Sequence, residues 1–149
     1  PVSQVIAYFL QRILPSKPTI LKDSRSLIHR LESTTFNTQQ LTLVAADVTA
    51  LYPSLDIKTV IWRTMSAERM ASPHVPPFLV KFLQYVLQNN YVRFDADIFQ
   101  QIFGLTMGTP AAPDLANITL AEIEASIVSN MEPLLLFVRY IDDFCSICR

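Results

Sequence analysis

The stretch LLLFVRYIDDFCSIC, residues 134–148, sets two adjacent aspartates, Asp142 and Asp143, inside a run that is otherwise mostly apolar, β-branched and aromatic. Two carboxylates about 5 Å apart repel each other by about 3 kcal/mol at an effective dielectric near 20. Few local structures accommodate that in a strand-forming sequence. The run reads as a β-hairpin whose tight turn presents both acids, with a cation expected to meet them. A comparable segment lies far upstream: LTLVAAD, residues 41–47, is short and apolar between polar flanks and reads as a buried strand ending at Asp47. A sheet that pairs these strands gathers three carboxylates. Hard oxygen ligands favour Mg²⁺, or Mn²⁺, over zinc, and two such ions about 4 Å apart suit nucleotidyl transfer. The plainer alternative is that Asp47 caps a helix and the pair lies in a solvated turn.

The remaining pattern is mostly helical. Ser3 to Leu14 and Ser24 to Leu31 read as helices separated by the proline-rich break PSKPT. Ile57, Val60, Ile61 and Met65 recur at helical spacing behind Asp56, a natural N-cap. After the linker SPHVPP, Leu79, Phe82, Leu83, Val86 and Leu87 mark a further apolar stripe. YVRFDADIFQQI reads as two short strands around Asp95 and Ala96, a turn without glycine. GLTMGTP holds both glycines of the chain, Gly104 and Gly108. A helix with proline in its first turn follows, with a stripe at Ala116, Leu120, Ile123 and Ile127. The order is helix, helix, strand, helix, helix, hairpin, helix, hairpin: an α+β architecture with antiparallel strands packed on helices.

With 149 residues, half of them hydrophobic, the chain can bury a real core and is not a disordered polymer. No apolar run, Leu134 to Val138 included, comes near the length of a membrane span, so no membrane partner is expected. Two cysteines make no disulfide framework, which favours a reducing, intracellular compartment. Cys145 and Cys148 form a lone C-x-x-C and read as buried strand residues rather than a zinc site. The net charge of −1 argues against a strong nucleic-acid grip, yet residues 1–30 set Arg12, Lys17, Lys22, Arg25 and Arg30 against Asp23 alone. Arg25 and Arg30 are therefore candidates for nucleic-acid contact, with a solvated helix face as the alternative. Arg139 is expected to pair with a carboxylate, while His29 and His74 have no evident catalytic partner. The chain lacks an initiator Met and stops just past the aspartates, so a piece of a longer protein is expected.

DVTALYPSL (47–55), QIFGLTMGTPAAPDLAN (101–117) and RYIDD (139–143) follow one another in the order and approximate spacing of motifs A, B and C of reverse transcriptases. With KDSRSLIHRL upstream, the chain most resembles the reverse transcriptases of Penelope-like elements, over roughly residues 20–149. The resemblance implies a polymerase palm-type antiparallel sheet (41–149) with part of the fingers (1–40). It implies that Asp47, Asp142 and Asp143 hold two Mg²⁺ ions, with the Val48 carbonyl as an extra ligand. Tyr52 would lie beneath the sugar of the incoming nucleotide and exclude a 2′-hydroxyl. Gln101, Gly104, Met107, Gly108 and Pro110 would run along nucleotide and template.

The implied partners are an RNA template, a DNA primer and a deoxynucleoside triphosphate, and the implied compartment is the nucleus. GTPAAP departs from the commoner GSPLSP, and LYPS also resembles family B DNA polymerases, whose third motif reads Asp-Thr-Asp; YIDD decides between them. These 149 residues alone are expected to be inactive in primer extension. A decayed or domesticated palm, kept as a non-catalytic nucleic-acid-binding or structural module, is the alternative.

Overall fold

Proline decides where the first helix stops. In the computed structural model, which describes residues 2–37, 40–71, 76, 78–132 and 134–149, helix α1 (Val2–Leu10) ends before the expected Leu14. The amides of Arg12 and Ile13 bond only three residues back, to the carbonyls of Phe9 and Leu10 at 3.2 and 2.9 Å. The chain thus tightens into a 3-10 turn, Leu14–Ser16, that contains Pro15. Helix α2 (Ser24–Ser33) starts at Asp23, whose carboxylate accepts the Ser26 amide at 2.8 Å. That bond holds the Asp23 carboxyl below the usual carboxylate range.

A short helix α3 (Leu51–Ser54), which the residue pattern does not announce, precedes α4 (Ile57–Ala71). Asp56 caps α4 as expected, accepting the Thr59 amide at 2.8 Å. Helix α5 (Phe78–Gln88) and helix α6 (Ala112–Val128), with Pro113 in its first turn, complete the set. Most of the linker before α5, His74 included, lies outside the described residues. Ile6, Leu10, Val60, Leu83, Leu115 and Ile118 form the heart of the core where α1, α4, α5 and α6 meet. The expected stripe on α6 is too narrow: Leu115, Ile118, Thr119 and Ala121 are buried while Ile127 is exposed. This helix packs against α1, α3 and α4 together, so the buried face of its N-terminal part is wider than one stripe.

The strands are β1 (Thr42–Asp47), β2 (Tyr91–Phe94), β3 (Asp97–Gln100), β4 (Leu134–Tyr140) and β5 (Asp143–Cys148). β2 and β3 make the expected hairpin, with Asp95 at φ 53° taking the left-handed place that a glycine would fill. β1, β5 and β4 form an antiparallel sheet in that order. One expectation fails here. β1 is exposed along its whole length rather than buried, because it borders β5 alone and forms an edge of the sheet. At the other edge Ile20, just after the proline-rich break, bridges Arg139 in parallel and adds one rung to β4.

Cys145 and Cys148 are free and half-buried rather than fully buried. Three positions apart on one strand, they point to opposite faces and cannot chelate one ion together. Among the described residues, no helix is long and apolar enough to cross a membrane.

Candidate active site

β1 and β5 pair in register from Thr42 opposite Cys148 to Asp47 opposite Asp143. Directly opposed residues share a face of the sheet, so the first and third of the sequence-predicted carboxylates stand side by side. Tyr140 faces Asp143 across the β4–β5 hairpin, which leaves a two-residue turn of Ile141 and Asp142. Asp143 is therefore the first strand residue rather than part of the tip. The turn is pinned to the end of β1 by the Val48 amide, which donates to the Asp142 carbonyl at 3.0 Å. Backbone pairing alone thus brings Asp47, Val48, Asp142 and Asp143 to one place.

The side chains are less tightly gathered. Asp47 and Asp143 are exposed and line a cavity of about 480 Å³ together with Leu21, Leu27 and Tyr140. Asp142 is half-buried and lies close enough to Tyr52 to act on it. Burial first, then the carboxylates of Asp142 and Asp114, push the Tyr52 phenol above its ordinary range. Asp114, in the first turn of α6, is itself raised by burial, partly offset by a hydrogen bond from Gln11. Among the described residues, no three His, Cys, Asp or Glu side chains are grouped as a ready ligand set. The donor chemistry of Asp47, Asp142 and Asp143 nonetheless suits a hard divalent cation, since all offer carboxylate oxygens.

The glycine loop meets this site through backbone contacts. Gly104 (φ +81°) is buried against the chain itself: a Cβ there would meet the Cα and carbonyl oxygen of Pro53 at 3.0 Å and the carbonyl oxygen of Tyr52 at 3.2 Å. Leu105 donates its amide to the Tyr52 carbonyl at 2.8 Å. The loop is therefore docked, backbone on backbone, onto the helix that carries Tyr52. Gly108 (φ +90°) has open space around it. Gly104→Ala is accordingly expected to cost about 2–4 kcal/mol, the sum of left-handed strain and an overpacked contact, and Gly108→Ala about 1–2 kcal/mol from strain alone. Urea unfolding of both variants checks the order; equal losses would contradict the docked contact.

Gln101 is tied within the loop, its Nε2 donating to the Phe103 carbonyl at 2.9 Å and its Oε1 accepting from Thr106 Oγ1 at 2.6 Å. Met107 is 70% exposed and Pro110 is exposed as well, so both are open to a ligand. A larger cavity of about 620 Å³ adjoins the turn at Tyr140 and Ile141 and has Lys22 and Arg30 in its wall. Arg30 also donates to the Pro18 carbonyl at 2.7 Å. Arg25 is exposed on α2 and borders neither of these two cavities.

Arg139 does pair with a carboxylate, that of Glu124 on α6. Glu124, Asn117 and Asp114 escaped the sequence reading. Glu124 had one available signal, an acid set among the apolar residues of LAEIEASIV.

No protein-family model and no curated protein matches the chain. Solved structures do. An apo telomerase from Candida tropicalis, truncated from its C-terminal domain, matches with a TM-score of 0.68 and 13% identity over 99% of this chain and 34% of that one. A telomerase from Candida albicans, in complex with the TWJ fragment of telomeric RNA, matches with a TM-score of 0.62 and 14% identity over 99% of this chain and 30% of that one. The chain thus spans about a third of the length of either structure. At this identity the likeness is one of fold: a reverse-transcriptase-like α+β arrangement. Nothing in it points to Penelope-like elements.

Proposed function

We propose that this chain is the palm, with part of the fingers, of an RNA-directed DNA polymerase, and that it is closest in kind to the reverse transcriptases of Penelope-like elements. The observation that carries the reading is the placement of Asp47 opposite Asp143, with Asp142 in the adjoining turn bonded through its carbonyl to Val48. Residues 1–40 are the fingers part and 41–149 the palm. Asp47, Asp142 and Asp143, with the Val48 carbonyl, would hold two Mg²⁺ ions, or Mn²⁺, which when bound lower the barrier by neutralising charge on the attacking and leaving oxygens.

The chain's own residues do the rest. Tyr52, half-buried between the carboxylate turn and the Gly104 loop, presents a rigid ring where a ribose 2′-hydroxyl would have to fit. The Gln101–Pro110 loop, docked on Tyr52 and Pro53, carries exposed Met107 to the nucleotide and template. Arg30 and Lys22, with Arg25 beyond them, offer cations to a phosphate backbone. An RNA template, a DNA primer and a deoxynucleoside triphosphate are the assigned partners, and the nucleus the assigned compartment. The solved Candida albicans telomerase, bound to a telomeric RNA fragment, supports RNA as the nucleic acid.

Extension of a DNA primer on an RNA template by the full-length protein carrying these residues tests the reading. No extension with either Mg²⁺ or Mn²⁺ would favour the non-catalytic alternative. Tyr52→Ala is expected to raise ribonucleotide incorporation relative to deoxynucleotide by roughly a hundredfold, as for other pockets that discriminate a single hydroxyl. An unchanged ratio would remove Tyr52 from the nucleotide site.

A further inference from the structure

Arg139 is 1% exposed, and the polymerase reading leaves it without a role. Its guanidinium is nevertheless fully engaged. Nε donates to the Glu124 carboxylate, and Nη1 donates to Asn117 Oδ1 at 2.8 Å and to the Ile141 carbonyl at 2.6 Å. Nη2 donates to the Asn117 carbonyl at 3.2 Å and to Glu124 at 3.5 Å. Glu124 is held in turn by Thr19 Oγ1 at 3.2 Å. The Arg139 backbone is tied as well, its amide donating to the Thr19 carbonyl at 2.8 Å and its carbonyl accepting the Leu21 amide at 2.7 Å.

What this cluster holds is an unfavourable turn. Ile141 sits at φ +55°, in the left-handed region that β-branched side chains avoid. Such a conformation persists only where its surroundings over-determine it. Three anchors do so here: the Ile141 side chain packs against the core, the Asp142 carbonyl takes the Val48 amide, and the Ile141 carbonyl takes Arg139 Nη1. Of the two hydrogen bonds, only the one from Arg139 leads back to a helix.

We propose that Arg139 is a positioning residue: gripped by Glu124 and Asn117 of α6, it holds the Ile141 carbonyl and so fixes the left-handed turn that sets Asp142 and Asp143 opposite Asp47. The proposal gives α6 a second task beside its core packing. Its value for catalysis rests on the polymerase reading, but its geometry does not.

Amide hydrogen exchange in isotopically labelled protein tests it, with the Val48 amide reporting the turn. Arg139→Lys keeps a cation for Glu124 but loses the planar fork that reaches Ile141 and Asn117 together. Exchange at Val48 is expected to rise by about tenfold, with the amides of Ser146 and Ile147 in β5 changing little. Asn117→Ala, which leaves the ion pair intact, is expected to act in the same direction and covers the case in which the arginine variant does not fold.

Unchanged exchange at Val48 or loss shared equally across the sheet would each overturn the proposal. The measurement needs no metal, nucleotide or template. A protein that shows the local loss yet never extends a primer would sink the polymerase reading and leave the turn's anchor standing.

Discussion

Asp142→Asn is expected to lower primer extension on an RNA template by on the order of a thousandfold, equivalent to ~4 kcal/mol of lost transition-state stabilisation. The substitution is nearly isosteric and keeps the carbonyl that accepts the Val48 amide, so the turn itself should persist. What disappears is one carboxylate charge. Thermal stability should hold or rise slightly, because one of two adjacent like charges is gone. The split between lost activity and kept stability is the signature sought. Asp95→Asn is the control: it changes an acid in the other two-residue turn, and should leave extension within about twofold, as for most surface substitutions. Mn²⁺ affinity read by electron paramagnetic resonance should fall for Asp142→Asn and not for Asp95→Asn. Equal extension by the Asp142→Asn variant and the parent would discard the carboxylate site.

Glu124→Ala is expected to destabilise the protein by about 3–5 kcal/mol, since it strands a buried guanidinium. Arg139 has almost no solvent to turn to, and its remaining partners, Asn117 and the Ile141 carbonyl, are neutral. Replacing both members by apolar residues of similar volume, Arg139→Met with Glu124→Leu, should recover most of that loss, because the desolvation of two charges goes with them. The double variant would still lack the anchor on the turn. Stability and turn protection should therefore separate in it. Urea unfolding of the single and double variants measures the first; a Glu124→Ala loss near 1 kcal/mol would mean that water reaches the pair.

The pairing of Asp47 with the aspartate hairpin was readable because one apolar strand ends in an acid and the hairpin run carries two more at its turn. The cap at Asp56 and the turn at Asp95 were equally legible, since local signals of that type depend on a few neighbouring residues. Edge position was not. An apolar run like LTLVAA looks the same whether a second strand covers its flank or not, and here none does. The contact between Gly104 and Pro53 and the bridge from Ile20 to Arg139 were hidden for a related reason: each joins segments far apart in the chain through backbone atoms that carry no residue signature. The α3 turn at Leu51–Ser54 is too short for any periodicity to register. The Glu124–Arg139 pair left only one hint, a charge in an apolar helix, and no spacing rule links a helix position to a strand position.

The register between Thr42 and Cys148 has a kinetic consequence. β4 and β5 are joined by two residues and can zip early, whereas β1 must close a loop of about a hundred residues before it gains a single rung. During synthesis β1 emerges first and waits, its apolar edge unpaired, until the last strand of the sheet leaves the ribosome. Asp47 and Asp143 therefore meet at the end of folding, and a chain stalled one step short would carry its helices and its hairpins with these two carboxylates still apart.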